Sequence, residues 1–276
     1  MEQHLRAAFR PAHMLLLLHP PVHQLVHGRF YPRCRYALAF TVFPAVPNFY
    51  FMNTMKIEIY SDLICPWCYI GKRRMQAGLK LLGKEFNPKI VWRPFQLNPD
   101  MPIEGMNRKT YRTKKFGSWG RSLAMDAEVA ATGKSLGIDF NYAKVLMTPN
   151  TLAGHRLLWW AEQQNHQDHL AEALFRAYFT EGRDVGRHDV LAEIAVEVGL
   201  PQAEALVFLD SDAGKKEVEG AALKGMKLGL QGVPFFVVND VPAFSGAQMP
   251  HAFLQAFQQA LGQDAQECGV ESCKTV

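Results

Sequence analysis

The chain has 276 residues, 48% of them hydrophobic, and a formal net charge of +4. This length suits one large domain or two small ones, and no apolar run of about 18 residues predicts a membrane span. Residues 1–54 hold five arginines and one acid, which leaves 25 basic and 25 acidic residues from Met55 onward. The chain from Met55 onward is therefore neutral and has no basic patch, so its charge gives no reason to expect nucleic-acid binding.

Residues 1–54 also lack helical or strand periodicity. Their apolar runs are too short or too interrupted by proline to form a signal peptide, and no small-residue cleavage site follows them. Met55 begins "MKIEIYSD", which is typical of a first strand. We expect 1–54 to be a disordered or non-native extension, although a targeting signal and a genuine extension stay open. The expected compartment is the cytoplasm.

The body opens with a strand at "KIEIY" (56–60), which alternates in polarity. Two cysteines separated by two residues follow in "SDLICPWCYIGK" (61–72), and helical spacing then runs to about residue 85. "KIVWRPFQL" (89–97) predicts a second strand. Redox cysteines at the start of a helix between two strands are typical of thioredoxin-like proteins.

Residues from about 107 to 210 then favour helices almost alone. The predicted helices are 107–116, 120–137, 151–165, 167–181, 188–199 and 202–210. A helix at 212–228 follows, then strands at 232–240 and 241–246 joined by a turn at Asn239–Asp240, and a last helix from Pro250 to Leu261.

This order predicts an α/β protein, a thioredoxin fold with an inserted all-helical domain. The thioredoxin-fold domain is expected to be discontinuous, at 55–100 and 211–262, with the helical insertion at 101–210. Residues 263–276 are expected to be a flexible tail.

Three roles compete for the cysteine pair Cys65 and Cys68. A structural zinc site needs four ligands, usually as two pairs in tight turns, whereas Pro66 here favours the start of a helix. A structural disulfide across two residues constrains the unfolded chain only weakly. We therefore favour redox chemistry and expect no metal.

The redox interpretation has a physical basis. At a helix N-terminus, Cys65 meets unpaired backbone N–H groups and the positive end of the helix dipole, which favour its thiolate. Cys68 lies one turn further in, where it can attack a mixed disulfide formed on Cys65. This predicts that Cys65 is the nucleophile and Cys68 the resolving thiol. Pro234, in "GVPFF", is expected from the residues alone to begin a strand.

Four segments, "SDLICPWCYIGK", "WRPFQLNPD", "AGHRLLWWA" and "GVPFFVVNDVPAFSGAQ", resemble DsbA-family thioredoxin-like oxidoreductases of the FrnE type. The resemblance covers roughly residues 55–262. It implies reversible dithiol–disulfide chemistry at Cys65 and Cys68, and a cis-proline loop at Val233 and Pro234 beside the reactive sulfur. With Pro66 and Trp67, that loop is expected to contact substrate, its backbone pairing with an extended peptide.

The resemblance also implies the partners. Protein thiols and disulfides are the expected substrates, and glutathione or a thioredoxin-type reductant the expected recycling partner. No metal or organic cofactor, nucleic acid or membrane is expected, and a homodimer is left open.

Two alternatives stay open. The same superfamily contains glutathione-dependent transferases and 2-hydroxychromene-2-carboxylate isomerases, which usually have a serine at the position of Cys65. Two thiols favour exchange, whereas one hydroxyl favours glutathione activation. A holdase or docking protein without turnover is the other alternative, and it would tolerate loss of Cys65.

Other candidates carry weaker expectations. Cys268 and Cys273 lie on the tail as C-x-x-x-x-C, either as an incidental pair or as an auxiliary redox pair that exchanges with the main one. Cys34 has no predicted role. Lys72, Arg73 and Arg74 are expected on a solvated helix face. Asn150 is expected to cap a helix and His155 to pack as a polar core residue.

Overall fold

The computed structural model describes residues 55–83 and 86–271, with side chains to Gly262. The predictions made for 1–54, including Cys34, and for Cys273 lie outside the described residues. Within them, the strands are β1 (Lys56–Ser61), β2 (Lys89–Pro94), β3 (Met106–Asn107), β4 (Met147–Thr148), β5 (Phe235–Val238) and β6 (Val241–Ser245).

The helices of the described residues account for most of the chain between the strands. They are α1 (Pro66–Leu82), α2 (Arg108–Phe116), α3 (Trp119–Lys134), α4 (Leu152–Glu162), α5 (Gln167–Arg176), α6 (His188–Glu197), α7 (Gln202–Asp210), α8 (Lys215–Lys227) and α9 (Pro250–Glu271). None of them is long and apolar enough to cross a membrane.

Four strands form one mixed sheet in the order β2-β1-β5-β6. β1 and β2 are parallel and joined through α1, whereas β5 is antiparallel to β1 and forms a hairpin with β6. Ile57 and Ile59 of β1 are fully buried because the central strand is covered on both faces. The predicted α/β arrangement is therefore confirmed, while the domain division at residues 100 and 210 stays a prediction.

The helical segment α2 to α7 lies between β2 and α8 in the chain. Tyr69 of α1 stacks on Phe175 of α5, with ring centroids 5.1 Å apart and planes at 11°. Phe175 and Phe179 are fully buried, so this aromatic contact is part of the core. The helical segment is thereby packed directly against the helix that carries the two cysteines.

The structure differs from the predicted elements in several places. The two-residue strands β3 and β4 pair with each other and were not predicted. The helix predicted at 167–181 ends as α-helix at Arg176 and continues as a π-helical turn, Ala177–Glu181. The helix predicted to 137 ends at Lys134.

The last helix was predicted to end at Leu261 but continues to Glu271. It thus takes in part of the segment predicted as a flexible tail, including the backbone of Cys268. Gln263, Ala265 and Gln266 have helix-compatible side chains, and no proline interrupts the chain between Gly262 and Glu271, which favours the continuation.

Helices α1 and α9 approach closely at Gly78. A Cβ atom at Gly78 would lie 2.6 Å from Phe253 Cβ and 2.9 Å from the carbonyl oxygen of Pro250. Both distances are shorter than van der Waals contact, so only glycine fits without a shift of α9.

We expect Gly78→Ala to destabilise the protein by about 1–3 kcal/mol, because the added methyl group overpacks the contact. Gly220→Ala is the matched control, since Gly220 lies within α8 and a Cβ atom there would have no neighbouring atom within 4 Å. That change should instead stabilise by about 0.5–1 kcal/mol. Urea unfolding measures both, and equal effects of the two changes would contradict the close contact.

Candidate active site

The structure places the two predicted thiols at the N-terminus of α1. Cys65 is the N-cap residue, with extended backbone angles, and Pro66 is the first helical residue. Both cysteines are free thiols; Cys65 is 4% exposed and Cys68 is fully buried. The backbone N–H of Cys68 donates to the carbonyl of Cys65 at 3.0 Å. Cys65, at the helix end, is therefore the slightly more exposed of two largely buried thiols.

Residues between and beside the thiols contribute exposed surface. Trp67 is 37% exposed, whereas Pro66 is half-buried. No acidic side chain lies in the first turn of α1. The positive end of the helix dipole at Cys65 is thus not offset by a carboxylate of that turn.

The predicted proline loop lies against the thiols. The peptide bond between Val233 and Pro234 is cis, as the family resemblance implied, and β5 begins at the next residue. The thiol of Cys65 donates to the carbonyl oxygen of Val233 at 3.7 Å. A Cβ atom at Gly71 would lie 3.0 Å from Pro234 Cγ, so glycine at this turn of α1 allows the close approach.

Burial of Cys68 has an electrostatic consequence. Loss of hydration raises the pKa of the Cys68 thiol well above its ordinary value, and the nearby Cys65 and the charge of Asp62 raise it further. A thiol that resists ionisation is a poor first nucleophile. The two cysteines therefore differ in the way that separate nucleophilic and resolving roles require.

Asp62 is a site residue that the sequence analysis did not single out. Its side chain is fully buried at the end of β1, and its Oδ2 atom accepts a 2.6 Å hydrogen bond from the backbone N–H of Leu97. Its own carbonyl accepts from the N–H of Cys65 at 3.0 Å. The signal available in the sequence was its position, directly after the first strand and three residues before the first cysteine.

His155 reaches the same place from α4. Its Nε2 atom lies 3.7 Å from Asp62 Oδ1 and, among the described residues, is buried without a hydrogen-bond partner. His155 was expected to pack as a polar core residue, and it is 2% exposed beside this carboxylate. Asn150 acts as expected at the start of α4, where its Oδ1 atom accepts from the N–H of Leu152 at 2.9 Å.

The prediction that the basic residues after the C-x-x-C lie on a solvated helix face is wrong for Lys72. This lysine is 2% exposed, and its Nζ atom lies 3.1 Å from Asp168 and 3.4 Å from Glu172. Arg73 also binds Glu172. The reason is that this face of α1 packs on α5, whose acidic residues are remote in sequence but complementary in charge.

An open cleft begins at Cys65 and extends between α1, α2 and α3. We call it the α2–α3 cleft; its volume is about 310 Å³. Its lining includes Trp67 and Val233, which lie beside Cys65, and Arg108 and Arg112 of α2. The cleft puts a binding volume next to the Cys65 thiol.

The remaining candidates from the sequence are the tail cysteines and a metal site. Side chains of residues 263–276 are not described, so Cys268 and Cys273 stay an untested hypothesis. Within the described part of the chain, no cluster of three or more His, Cys, Asp or Glu side chains is placed to hold a metal ion.

Comparison with known proteins identifies a family and several similar proteins. The model of the DSBA-like thioredoxin domain matches residues 56–258. The probable DsbA oxidoreductase of Streptomyces coelicolor is 32% identical, with a TM-score of 0.71 over 75% of this chain and 90% of that one. The uncharacterized protein YwbO of Bacillus subtilis (strain 168) is 28% identical over 197 residues, which is 70% of this chain and 92% of that protein.

A 2-hydroxychromene-2-carboxylate isomerase is more distant. It is 15% identical, with a TM-score of 0.52 over 78% of this chain and 98% of that one. This similarity shows a shared fold alone.

The buried carboxylate generates a prediction for Asp62→Asn. Because the charge of Asp62 raises the pKa of Cys68, its removal should lower that pKa, so that Cys68 ionises at lower pH. The thiolate absorbance of the Cys65→Ser protein, titrated with and without the second change, measures the shift. Asp168→Asn is the control acid on α5, and an equal shift there would contradict a specific effect of Asp62.

Proposed function

The chain belongs to the DSBA-like thioredoxin domain family and has the predicted DsbA-like thioredoxin fold, and we propose that it oxidises or isomerises protein disulfides through Cys65 and Cys68. The observation that carries the proposal is the placement of Cys65, which lines an open cleft, at the N-cap of α1, with the fully buried Cys68 one turn behind it. This geometry supports exchange because each thiol has a distinct task.

In the oxidising direction, the Cys65–Cys68 disulfide is the oxidant. A substrate thiolate attacks Cys65 Sγ, the Cys65–Cys68 bond breaks, and Cys68 leaves and takes up a proton, which its raised pKa favours. A second substrate thiolate then attacks the substrate sulfur of the mixed disulfide and releases Cys65. The substrate loses two electrons and two protons and gains one disulfide bond.

The loop at Val233 and Pro234 is proposed to hold the substrate chain during these steps. The carbonyl of Val233 faces Cys65 at 3.7 Å from the sulfur. A substrate backbone N–H that replaced the thiol as donor to this carbonyl would keep the substrate cysteine beside Cys65. Pro66 and Trp67 are proposed to complete this surface, since Trp67 presents an exposed ring next to the thiol.

The subtype, the cellular location and the recycling partner are also proposals. We propose the FrnE type within the family, a cytoplasmic location, and glutathione or a thioredoxin-type protein as recycling partner. The exchange itself needs no metal or organic cofactor, because the two sulfurs carry both electrons.

Glutathione-dependent transfer or isomerisation is the alternative. Its support is a shared fold with the isomerase, whereas this chain keeps two thiols where a glutathione-activating site needs one hydroxyl. The alternative therefore predicts glutathione binding without a two-electron transition of the protein.

We expect Cys65→Ser to lower disulfide exchange on a reduced, unfolded protein substrate by about a thousandfold or more, because the nucleophile is lost. With a protein substrate that already contains a disulfide, Cys68→Ala should instead accumulate the mixed disulfide, because Cys65 attacks that disulfide and no resolving thiol remains to release the substrate. Mass spectrometry of the trapped adduct and refolding yield are the measurements. A Cys65→Ser protein that keeps its activity would contradict the proposal and favour a docking protein.

The direction of exchange is tested by titrating the chain from Met55 in glutathione redox buffers. A reversible two-electron transition is expected, and its potential separates oxidation from reduction. The same titration of the Cys268→Ser/Cys273→Ser protein tests the auxiliary pair. A shift of the midpoint would support that pair, whereas unchanged midpoint and refolding rate would eliminate it.

A further inference from the structure

The α2–α3 cleft has a charge that the exchange chemistry alone does not explain. Arg108, Arg112 and Lys115 lie on α2 at spacings of four and three residues, which puts them on one face of the helix, and all three line the cleft. Asp126 is the one carboxylate among the lining residues. The lining therefore carries two more positive than negative charges.

Asp126 is already bound by two arginines of α2. Arg108 Nη2 donates to both of its oxygens, at 2.9 and 2.8 Å, and Arg112 Nη2 donates to Oδ1 at 2.9 Å. The pair Arg108–Asp126 is nearly fully buried. Because Arg108 and Arg112 share this one carboxylate and Lys115 has no acidic partner in the lining, the net charge of the cleft is cationic.

Two buried polar atoms in the cleft lack partners among the described residues. They are the hydroxyl of Tyr142 and the amide nitrogen of Asn98. Burial and the charge of Asp126 raise the pKa of Tyr142, so its hydroxyl keeps a proton that it can donate. Buried polar groups are rarely left unpaired, and both atoms offer donors to whatever enters the cleft.

The size and boundary of the cleft favour a small ligand. Its volume of about 310 Å³ is within the range of small-molecule sites. Asn98, Tyr111 and Lys115 line both this cleft and a wider groove beyond it. Lys115 Nζ donates to Asn98 Oδ1 at 2.9 Å and to the Tyr111 hydroxyl at 2.6 Å, so these side chains form the wall between the two.

We propose that the α2–α3 cleft binds a carboxylate-bearing low-molecular-weight disulfide or thiol, whose carboxylate contacts Arg112, Lys115 and Tyr142 while its sulfur reaches Cys65. A carboxylate offers several acceptor sites to these donors, and ion-assisted hydrogen bonds are the strong ones. The apolar stem of such a molecule would lie on Phe179 and Val129, which also line the cleft.

This inference rests on the proposed exchange at Cys65 and names one of its reactants. The thiolate of Cys65 attacks the small disulfide RSSR, which forms a mixed disulfide and releases one RS⁻. Cys68 then attacks Cys65 Sγ, forms the Cys65–Cys68 bond and releases the second RS⁻. Two electrons pass from the protein to RSSR, and two RSH form after protonation.

The test uses three small disulfides that share a two-carbon arm and differ in the terminal group. Dithiodipropionate ends in carboxylates, hydroxyethyl disulfide in hydroxyls and cystamine in ammonium groups. Each rate of oxidation of the reduced protein is divided by the rate for dithiothreitol with the same disulfide, which removes intrinsic reactivity. We expect the corrected rate to be about tenfold higher for dithiodipropionate than for hydroxyethyl disulfide, and lowest for cystamine.

Variants locate the effect. Arg112→Gln with Lys115→Gln should abolish the preference for dithiodipropionate, whereas Lys109→Gln should keep it, because Lys109 is exposed on α2 outside the cleft lining. Tyr142→Phe should weaken the preference without loss of thermal stability, since the hydroxyl has no partner to lose among the described residues. Thermal unfolding of each variant excludes misfolding as the cause.

The outcomes are distinct. Equal corrected rates for the three disulfides, with normal oxidation of Cys65 and Cys68, would overturn the cleft proposal and leave the proposed function standing. No oxidation by any disulfide would overturn both. A charge preference seen only with cysteine peptides flanked by acidic residues would assign the cleft to polypeptide substrates and overturn the small-molecule proposal.

Discussion

Helix α1 carries the two thiols, and its packing against the cis-proline loop, α9 and α5 determines where those thiols lie. Gly71 lies under Pro234 and Gly78 under Phe253, so one face of the helix has no side chains where the cis-proline loop and α9 approach. The adjoining face carries Lys72, whose charge is paired with carboxylates of α5. The close contacts at the two glycines and the buried ion pairs of Lys72 together hold the N-terminus of α1 in place.

This placement separates the environments of two chemically identical side chains. Cys65 lies at the helix end beside a cleft with excess positive charge, whereas Cys68 is enclosed near the buried Asp62. Burial and the charge of Asp62 oppose the thiolate of Cys68. The positions along a single turn of helix are therefore enough to give the two thiols different surroundings, without any difference in covalent structure.

Much of the frame was predictable because its signals are local. The C-x-x-C between a strand and a helix, and the periodicity of α6, can be seen within short windows of sequence. Lys72 could not be predicted as buried, because its partner Asp168 lies 96 residues away and a local run of charge is typical of a solvated surface. His155 and Asp62 are likewise brought together only by packing of α4 on the sheet.

The α2–α3 cleft could not be predicted from local sequence either. Arg108, Arg112 and Lys115 have helical spacing in the sequence, but that spacing does not tell whether the face they share looks toward solvent or toward Cys65. The two-residue pairing of β3 with β4, at the start of α2, was also too short to give a sequence signal. Orientation of the insertion relative to the thiols is thus the part that required the structure.

The contact between Cys65 and the carbonyl of Val233 joins residues 168 positions apart. Synthesis proceeds from the N-terminus, so a ribosome completes the dithiol long before it adds the loop that will face it. During that interval the two thiols face no proline loop, and α1 lacks the α9 helix that packs on its glycine face. The nascent chain therefore carries both sulfur atoms before it carries the elements that enclose them.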